Sequence, residues 1–343
     1  MQSALIRSVR RVLADPDIAI DLGTANTRIY AQGGGMLADE PSVVQVCTET
    51  GSVEAVGLTA TQKPTLGAGA RLVSPLRAGV VADVDVAAAL LRPLLNRAKR
   101  FGLWRPRVLA CVPTDASATE REAVIEATRR AGASAVVLAP EPLAAAIGIR
   151  MDVGADYAQL LVDIGDGVTD IAVIRSGELI ATSAVRTACS NLIASVAQLV
   201  AKQHGLRIYY QEAQRLIQQV GTGRPGLTPE TFVIAGLDRQ TGLQRRVLVH
   251  GETVASVMNP TLNVIVAAVS QAVRQLPDKI ACEVIESGIR LTGGGACLSG
   301  ISELLAAETS LEVHPASNPM HAVINGARKM LAIGIRTNIW ATP

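Results

Sequence analysis

IAIDLGTANTRIY, residues 18–30, is an apolar β-type run that ends in Asp21, is followed by Gly23 and Thr27, and then resumes as a second apolar run. That order reads as strand, tight turn, strand. Residues 160–174, LLVDIGDGVTDIAVI, repeat it at the same offsets with Asp163, Gly165 and Thr169. Small residues in such a turn let successive backbone N–H groups point into one concavity, and rim hydroxyls add donors, so the turn is suited to phosphate oxygens. An Asp at the strand end can hold a hydrated Mg²⁺ against those phosphates. One Gly-rich turn is usually just a turn. Two with identical offsets in separate halves imply two lobes facing a shared nucleotide.

The whole-chain properties agree with two lobes. At 343 residues the chain exceeds the usual size of one core, and 49% of it is apolar. Aromatics make up 2%, so the core must be built from Val, Ile, Leu and Ala. A formal charge of +2 gives no general argument for nucleic acid, and no nucleic-acid partner is expected. Cys47, Cys111, Cys189, Cys282 and Cys297 are scattered, odd in number and lack metal-ligand spacing. They read as buried free thiols in a reducing cytoplasm. With no run of about 18 apolar residues, no membrane-spanning segment is expected.

Two stretches suit the surface of a membrane. In SALIRSVRRVL, residues 3–13, helical spacing puts Leu5, Ile6, Val9, Val12 and Leu13 on one face and Arg7, Arg10 and Arg11 on the other. A basic amphipathic helix of this kind lies well in an anionic surface. An ordinary docked helix or a frayed end is the alternative. It is too short and Arg-rich for a secretory signal. Further on, Phe101, Leu103 and Trp104 sit in a collar of Arg97, Lys99, Arg100, Arg105 and Arg107. Such tips can enter headgroups, or Trp104 can pack on the neighbouring helix.

Several elements announce themselves locally. Val86, Leu90, Leu91, Leu94 and Leu95 mark a helical stripe over 84–99. Ser117 with Glu120 forms a capping box and Gly132 a helix stop. AVVLAPEPLAAAIG is a buried strand leading into a helix, with Glu141 at the corner. A carboxylate there can orient the water that attacks a γ-phosphate; taken alone, it more often matches the helix dipole. A long helix is expected over 261–276, with Pro260 in its first turn and Pro277 past its end. In IRLTGGGACLSG, Gly293, Gly294, Gly295 and Ala296 allow backbone to approach a flat ligand, or simply open a helix.

Five motifs in one order carry a family resemblance: DLGTANT at 21–27, DEPSVV at 39–44, PRVLACVP at 106–113, EPLAAAIG at 141–148 and LTGGGACLSG at 291–300. Over nearly its whole length the chain resembles the actin and DnaK-type ATPase superfamily, and within it the MreB family of bacterial actins. The resemblance implies an α/β, actin-like two-lobed ATPase fold, with two related mixed β-sheets flanked by helices and a nucleotide cleft. Residues 1–15 would be the membrane-binding helix, and 16–32, 76–147 and 318–343 the inner subdomain of the first lobe, with 33–75 as its outer one. Residues 148–186 and 248–317 would form the inner subdomain of the second lobe and 187–247 its outer one.

The same resemblance implies ATP and Mg²⁺. The backbone of Gly23, Thr24, Ala25, Asn26 and Thr27 would clamp phosphates together with that of Gly165, Asp166, Gly167, Val168 and Thr169. Asp21 and Asp163 would hold Mg²⁺ through water, with Glu141, Asp163 and Thr169 as catalytic residues. Gly293 to Ala296 would approach the adenosine, whereas in EAQRLIQQVG, residues 212–221, the family's Glu-Glu-x-Lys contacts to the adenosine are replaced by Gln214, Arg215 and Ile217, where Gln214 could bond a ribose hydroxyl and Arg215 could stack on adenine. Leu5, Ile6, Val9, Phe101, Leu103 and Trp104 would contact the membrane.

Two further departures lie at the second turn and at the helix after it. DIGDGVT replaces the family's usual DIGGGTT, so Asp166 brings a carboxylate towards phosphate, repulsive unless it accepts from metal-bound water; actin has the same GDGVT. VRTACSNLIASV replaces a Gly-Gly-Asp, with Ser190 able to cap the helix instead. The function implied is a slow ATPase coupled to homopolymer filaments, peripheral on the inner face of the cell membrane. It would work with cell-wall synthesis and shape-determining membrane proteins to set rod shape. Alternatives are a filament that positions an organelle or plasmid, a small-molecule kinase for which no catalytic Asp or sugar pocket is visible, or a nucleotide-binding scaffold with weak hydrolysis.

Overall fold

The first apolar run becomes β1 (Ile18–Leu22), buried at every position. The chain then folds back as β2 (Asn26–Ala31) and β3 (Gly35–Pro41). A computed structural model describes residues 17–62, 69–98, 105–223 and 230–333. The chain divides into unit 1, Met1–Val153 with His321–Pro343, and unit 2, Gly154–Met320.

In unit 1 a small sheet of β4 (Val44–Cys47), β5 (Val53–Val56) and β6 (Ala70–Val73) carries α1 (Gly57–Gln62). The short pair β7 (Leu76–Arg77) and β8 (Val80–Val81) leads to α2 (Val84–Asn96), β9 (Arg107–Val112), α3 (Ala118–Ala131), β10 (Ala135–Pro140) and α4 (Glu141–Gly148). The main sheet runs β3-β2-β1-β9-β10, with β1–β2 and β2–β3 antiparallel and β1–β9 and β9–β10 parallel. Ser117 and Glu120 form the expected capping box, and Gly132 ends α3 in a left-handed conformation.

Unit 2 opens with β11 (Gln159–Ile164), β12 (Thr169–Arg175) and β13 (Glu178–Val185), then α5 (Cys189–His204), β14 (Leu206–Arg207) and α6 (Tyr210–Val220). A hairpin of β15 (Thr231–Asp238) and β16 (Gln244–His250) pairs with β14. After it come α7 (Gly251–Arg274), α8 (Asp278–Ser287), β17 (Ile289–Thr292), a 3₁₀ turn at Gly294–Cys297, α9 (Ile301–Thr309) and β18 (Val313–Pro315). Its main sheet runs β13-β12-β11-β17-β18, again with an antiparallel meander on one side and parallel strands on the other. The likeness between the two turns therefore extends to order and sense of all five strands. Both central strands, β1 and β11, are buried throughout, as strands covered on both faces must be.

The core is aliphatic: Ile18, Ile20, Leu90, Leu91 and Val108 in unit 1; Leu160, Val162, Val196, Met258 and Leu262 in unit 2. The long helix starts ten residues earlier than Pro260 suggested, at Gly251, and keeps Pro260 inside it. Val254 and Met258 before the proline and Leu262, Ile265 and Val269 after it form one buried stripe. That packing outweighs the hydrogen bond lost at the proline. α7 is long and apolar enough to cross a membrane by length and composition, but this stripe packs into the core of unit 2. The cysteine expectation is corrected in part: all five are free, Cys111 and Cys189 are buried, and Cys282 and Cys297 are exposed. Cys282 stands on α8, whose buried residue is Val284.

The last helix, α10 (Ala322–Ile333), belongs to unit 1 and crosses α4 almost backbone to backbone. A Cβ on Gly326 would lie 1.6 Å from the Ala144 carbonyl oxygen, and one on Gly148 1.9 Å from that of Ala322. Lys329 Nζ then donates to the Ile147 and Gly148 carbonyls at 2.7 and 3.3 Å. The small residues of EPLAAAIG are thus what lets α10 fix the helix that begins with Glu141.

Candidate nucleotide-binding site

Each acidic strand end leads into the same turn. Gly23 N–H donates to Asn26 O at 3.1 Å, and Gly165 N–H to Val168 O at 2.9 Å. A Cβ on either glycine would stand 2.9 Å from that same carbonyl oxygen, so both positions require glycine. The threonines close the hairpins, Thr27 opposite Leu22 and Thr169 opposite Ile164, and both are fully buried. Ser42 Oγ donates to Gly23 O at 2.6 Å and therefore accepts from Thr27 Oγ1 at 2.8 Å. Thr169 Oγ1 donates to Thr187 O at 2.9 Å. The two hydroxyls thus brace the turns from within. Among the described residues, the N–H groups of Thr24, Ala25, Asp166 and Gly167 donate to no protein group, which is the donor set an anion needs.

Strand register places the charges. Asp21 on β1 lies across from Arg28 on β2, which lies across from Asp39 on β3. Arg28 bridges them, with Nη1 3.2 Å from Asp21 Oδ2 and Nε 3.1 Å from Asp39 Oδ1. His321 Nε2 stands 3.0 Å from Asp39 Oδ2. Burial pushes the Asp21 carboxyl above its ordinary range, and Arg28 holds it back in part. At the neighbouring strand ends, burial raises the Cys111 thiol well above its usual value, helped by the charges of Asp21 and then Glu141. The ends of β1, β9 and β10 therefore gather Asp21, Cys111 and Glu141.

In unit 2 the same register sets Asp170, not a cation, across from Asp163, and both are buried. On β17, Thr292 pairs with Asp163, is fully buried, and its hydroxyl has no hydrogen-bond partner. Two buried carboxylates beside an orphaned hydroxyl fit a hydrated divalent cation. Among the described residues no group of three or more His, Cys, Asp or Glu side chains forms a metal cage.

Other predicted residues of unit 2 converge on this turn. A Cβ on Gly293 would lie 2.3 Å from Asp163 Oδ1 and 2.2 Å from Ile164 O, and one on Gly295 2.3 Å from Ile164 Cγ2, whereas Gly294 meets nothing within 4 Å. Ala296 N–H donates back to Gly293 O. Two glycines of the three are there to let this turn sit against β11, and Gly294 is the one open to a ligand. Ser190 donates its backbone N–H to Asp166 O at 2.8 Å. Its hydroxyl is not the cap, since α5 begins a residue earlier and Asn191 Oδ1 accepts from Ala188 N–H. Tyr210 Oη donates to Asp166 Oδ1 at 2.5 Å.

Gln214 is half-buried on α6. Arg215 is engaged elsewhere: it bonds Glu212 at 2.8 Å, Gln219 at 3.1 Å and Val233 O at 3.0 Å, while Glu212 accepts from Ala235 N–H at 2.9 Å. Together they cover backbone groups of β15, and stacking on adenine would require Arg215 to leave them. Leu5, Ile6, Val9, Phe101, Leu103 and Trp104 lie outside the described residues. Of the basic collar, Arg97 pairs with Glu40 at 2.8 Å and Arg107 with Asp17 at 2.9 Å.

A repeated five-strand sheet with an acidic glycine turn at each centre defines an actin-like protein. Solved structures agree: MreB5 of Spiroplasma citri bound to AMPPNP aligns with a TM-score of 0.82 at 27% identity, covering 92% of this chain and 96% of that one. A MamK double helical filament aligns at 0.74 and 20% identity, covering 93% and 99%, a likeness of fold. The family model for MreB/Mbl protein matches residues 15–336. The chain is 36% identical to the cell shape-determining protein Mbl of Bacillus cereus over 318 residues, 92% of this chain and 95% of that protein. It is 34% identical to the cell shape-determining protein MreB of Escherichia coli K12 over 322 residues, 92% and 93%. The chain belongs to the MreB/Mbl family.

Proposed function

We propose that the chain is an ATP-dependent, membrane-associated actin-like filament protein that organises cell-wall synthesis and sets rod shape. The observation that carries this reading is the pair of matching turns, each with unpaired N–H groups beside a buried aspartate, in a chain similar over its length to proteins named cell shape-determining. The turns at 23–27 and 165–169 grip the phosphates of one ATP. Asp163, aided by Asp170 and the Thr292 hydroxyl, would hold Mg²⁺ through water, as would Asp21. Mg²⁺ supplies charge neutralisation of the phosphates when bound. Glu141 orients the attacking water, and Gln214 and the open backbone of Gly294 border the adenosine. Residues 3–13 with Phe101, Leu103 and Trp104 attach filaments to the inner face of the cell membrane, where shape-determining and cell-wall proteins are the partners.

Sedimentation of the purified protein with and without ATP·Mg²⁺ tests the polymer. A pellet that depends on ATP supports it, and a protein that stays in the supernatant at every nucleotide state removes it. Liposome flotation separates the membrane part: a variant lacking residues 1–13 and carrying Phe101→Ser and Trp104→Ser should stay at the bottom. If it floats like the intact chain, both membrane elements are misassigned.

A further inference from the structure

Asp166 is the acidic side chain within the two turns, and it sits where an incoming phosphate would meet a negative charge. The structure disposes of that charge. Tyr210, the first residue of α6, donates its phenolic hydrogen to Asp166 Oδ1 at 2.5 Å, a charge-assisted bond. Burial raises the phenol, and the neighbouring carboxylate raises it further, so it remains a donor. The main chain of Asp166 is held too, by Ser190 N–H from the start of α5. The far end of α6 rests on the Gly-rich turn: Thr222 N–H donates to Ser299 O at 2.8 Å, and a Cβ on Gly221 would lie 2.0 Å from that oxygen. α6 therefore spans from the phosphate turn to the glycine turn, fastened at both.

We propose that Tyr210 is a positioning residue for nucleotide binding: its hydroxyl draws the Asp166 carboxylate onto α6, away from the phosphate-facing N–H groups, and fixes α6 so that Gln214, one turn on, borders the sugar. This rests on the reading that residues 165–169 bind phosphate. Tyr210 was invisible in the sequence because its partner is 44 residues away.

A double-mutant cycle on the full-length protein tests it, with ATP·Mg²⁺ affinity measured by titration calorimetry and folding checked by thermal melting. Loss of a hydrogen bond to a charged group predicts that Tyr210→Phe weakens ATP binding by about tenfold or more. Asp166→Gly removes the charge together with its need for a tether, so in that background Tyr210→Phe should change affinity by less than about twofold. Equal losses in both backgrounds would make Tyr210 a merely structural residue, and no loss in the native background would end the proposal. Absence of ATP binding by the native chain would instead overturn the phosphate reading itself, and this inference with it.

Discussion

Gly293 and Gly294 are adjacent and chemically identical, yet the structure assigns them opposite sensitivities to one methyl group. At Gly293 φ is +82°, and an added Cβ would fall 2.2 Å from Ile164 O and 2.3 Å from Asp163 Oδ1. With ψ at 176° this is a backbone region essentially reserved for glycine, which costs an L-residue about 1–3 kcal/mol, and relieving the overlap by moving β11 adds about 1–3 kcal/mol. Gly293→Ala should therefore lose about 2–6 kcal/mol, a large part of the ~5–15 kcal/mol that holds an ordinary domain. It should also move the Asp163 carboxylate and weaken ATP·Mg²⁺ binding. At Gly294 nothing lies within 4 Å, so Gly294→Ala should stay within about 0.5 kcal/mol of the parent while placing a methyl where ligand would approach. Urea unfolding midpoints and calorimetric ATP affinities for both variants provide the readout. The reasoning is refuted if Gly293→Ala unfolds at the parent midpoint, or if Gly294→Ala proves the more destabilising.

Three more outcomes follow from the same geometry. Glu141→Gln should leave ATP affinity unchanged and slow phosphate release about 100-fold or more if the carboxylate orients the water; release at the parent rate removes it from that role. For Asp21 the folded carboxyl titrates above its ordinary value of 3.8, so ionising it costs stability at neutral pH, and that cost fades as pH falls through the folded value. Asp21→Asn also takes a partner from Arg28, so the sign shows in the pH dependence: the parent's urea midpoint should gain on the variant's as pH falls from 7, while the variant loses ATP affinity; a parent that loses ground to the variant in acid would contradict the sign. Arg215→Ala should cost about 1 kcal/mol through the exposed edge of β15 with ATP affinity kept, and a marked loss of affinity in calorimetry would restore Arg215 to the adenine.

The hairpins were legible in the sequence because so tight a turn between buried strands demands small residues at fixed offsets, and Asp21/Gly23/Thr27 and Asp163/Gly165/Thr169 carry that pattern without tertiary information. What the sequence hid depended on register. Arg28 looks like any polar residue in a strand until β1, β2 and β3 are aligned and it lands between Asp21 and Asp39. Asp170 and Thr292 are likewise ordinary until both lie across from Asp163. Thr169 pointed to chemistry by its spacing, but its hydroxyl serves Thr187 O. Pro260 misled by a local rule that the buried stripe of α7 overrides, and the contacts of Arg215 to Glu212 and β15 depend on a fold the sequence does not spell out.

The central claim is that both turns serve one nucleotide, and calorimetric stoichiometry tests it most directly. The account predicts one ATP per chain, with binding lost in Gly23→Val and equally in Gly165→Val, since each side chain would meet a turn carbonyl 2.9 Å from its Cβ. Two ATP per chain, or full binding in either variant, would contradict it.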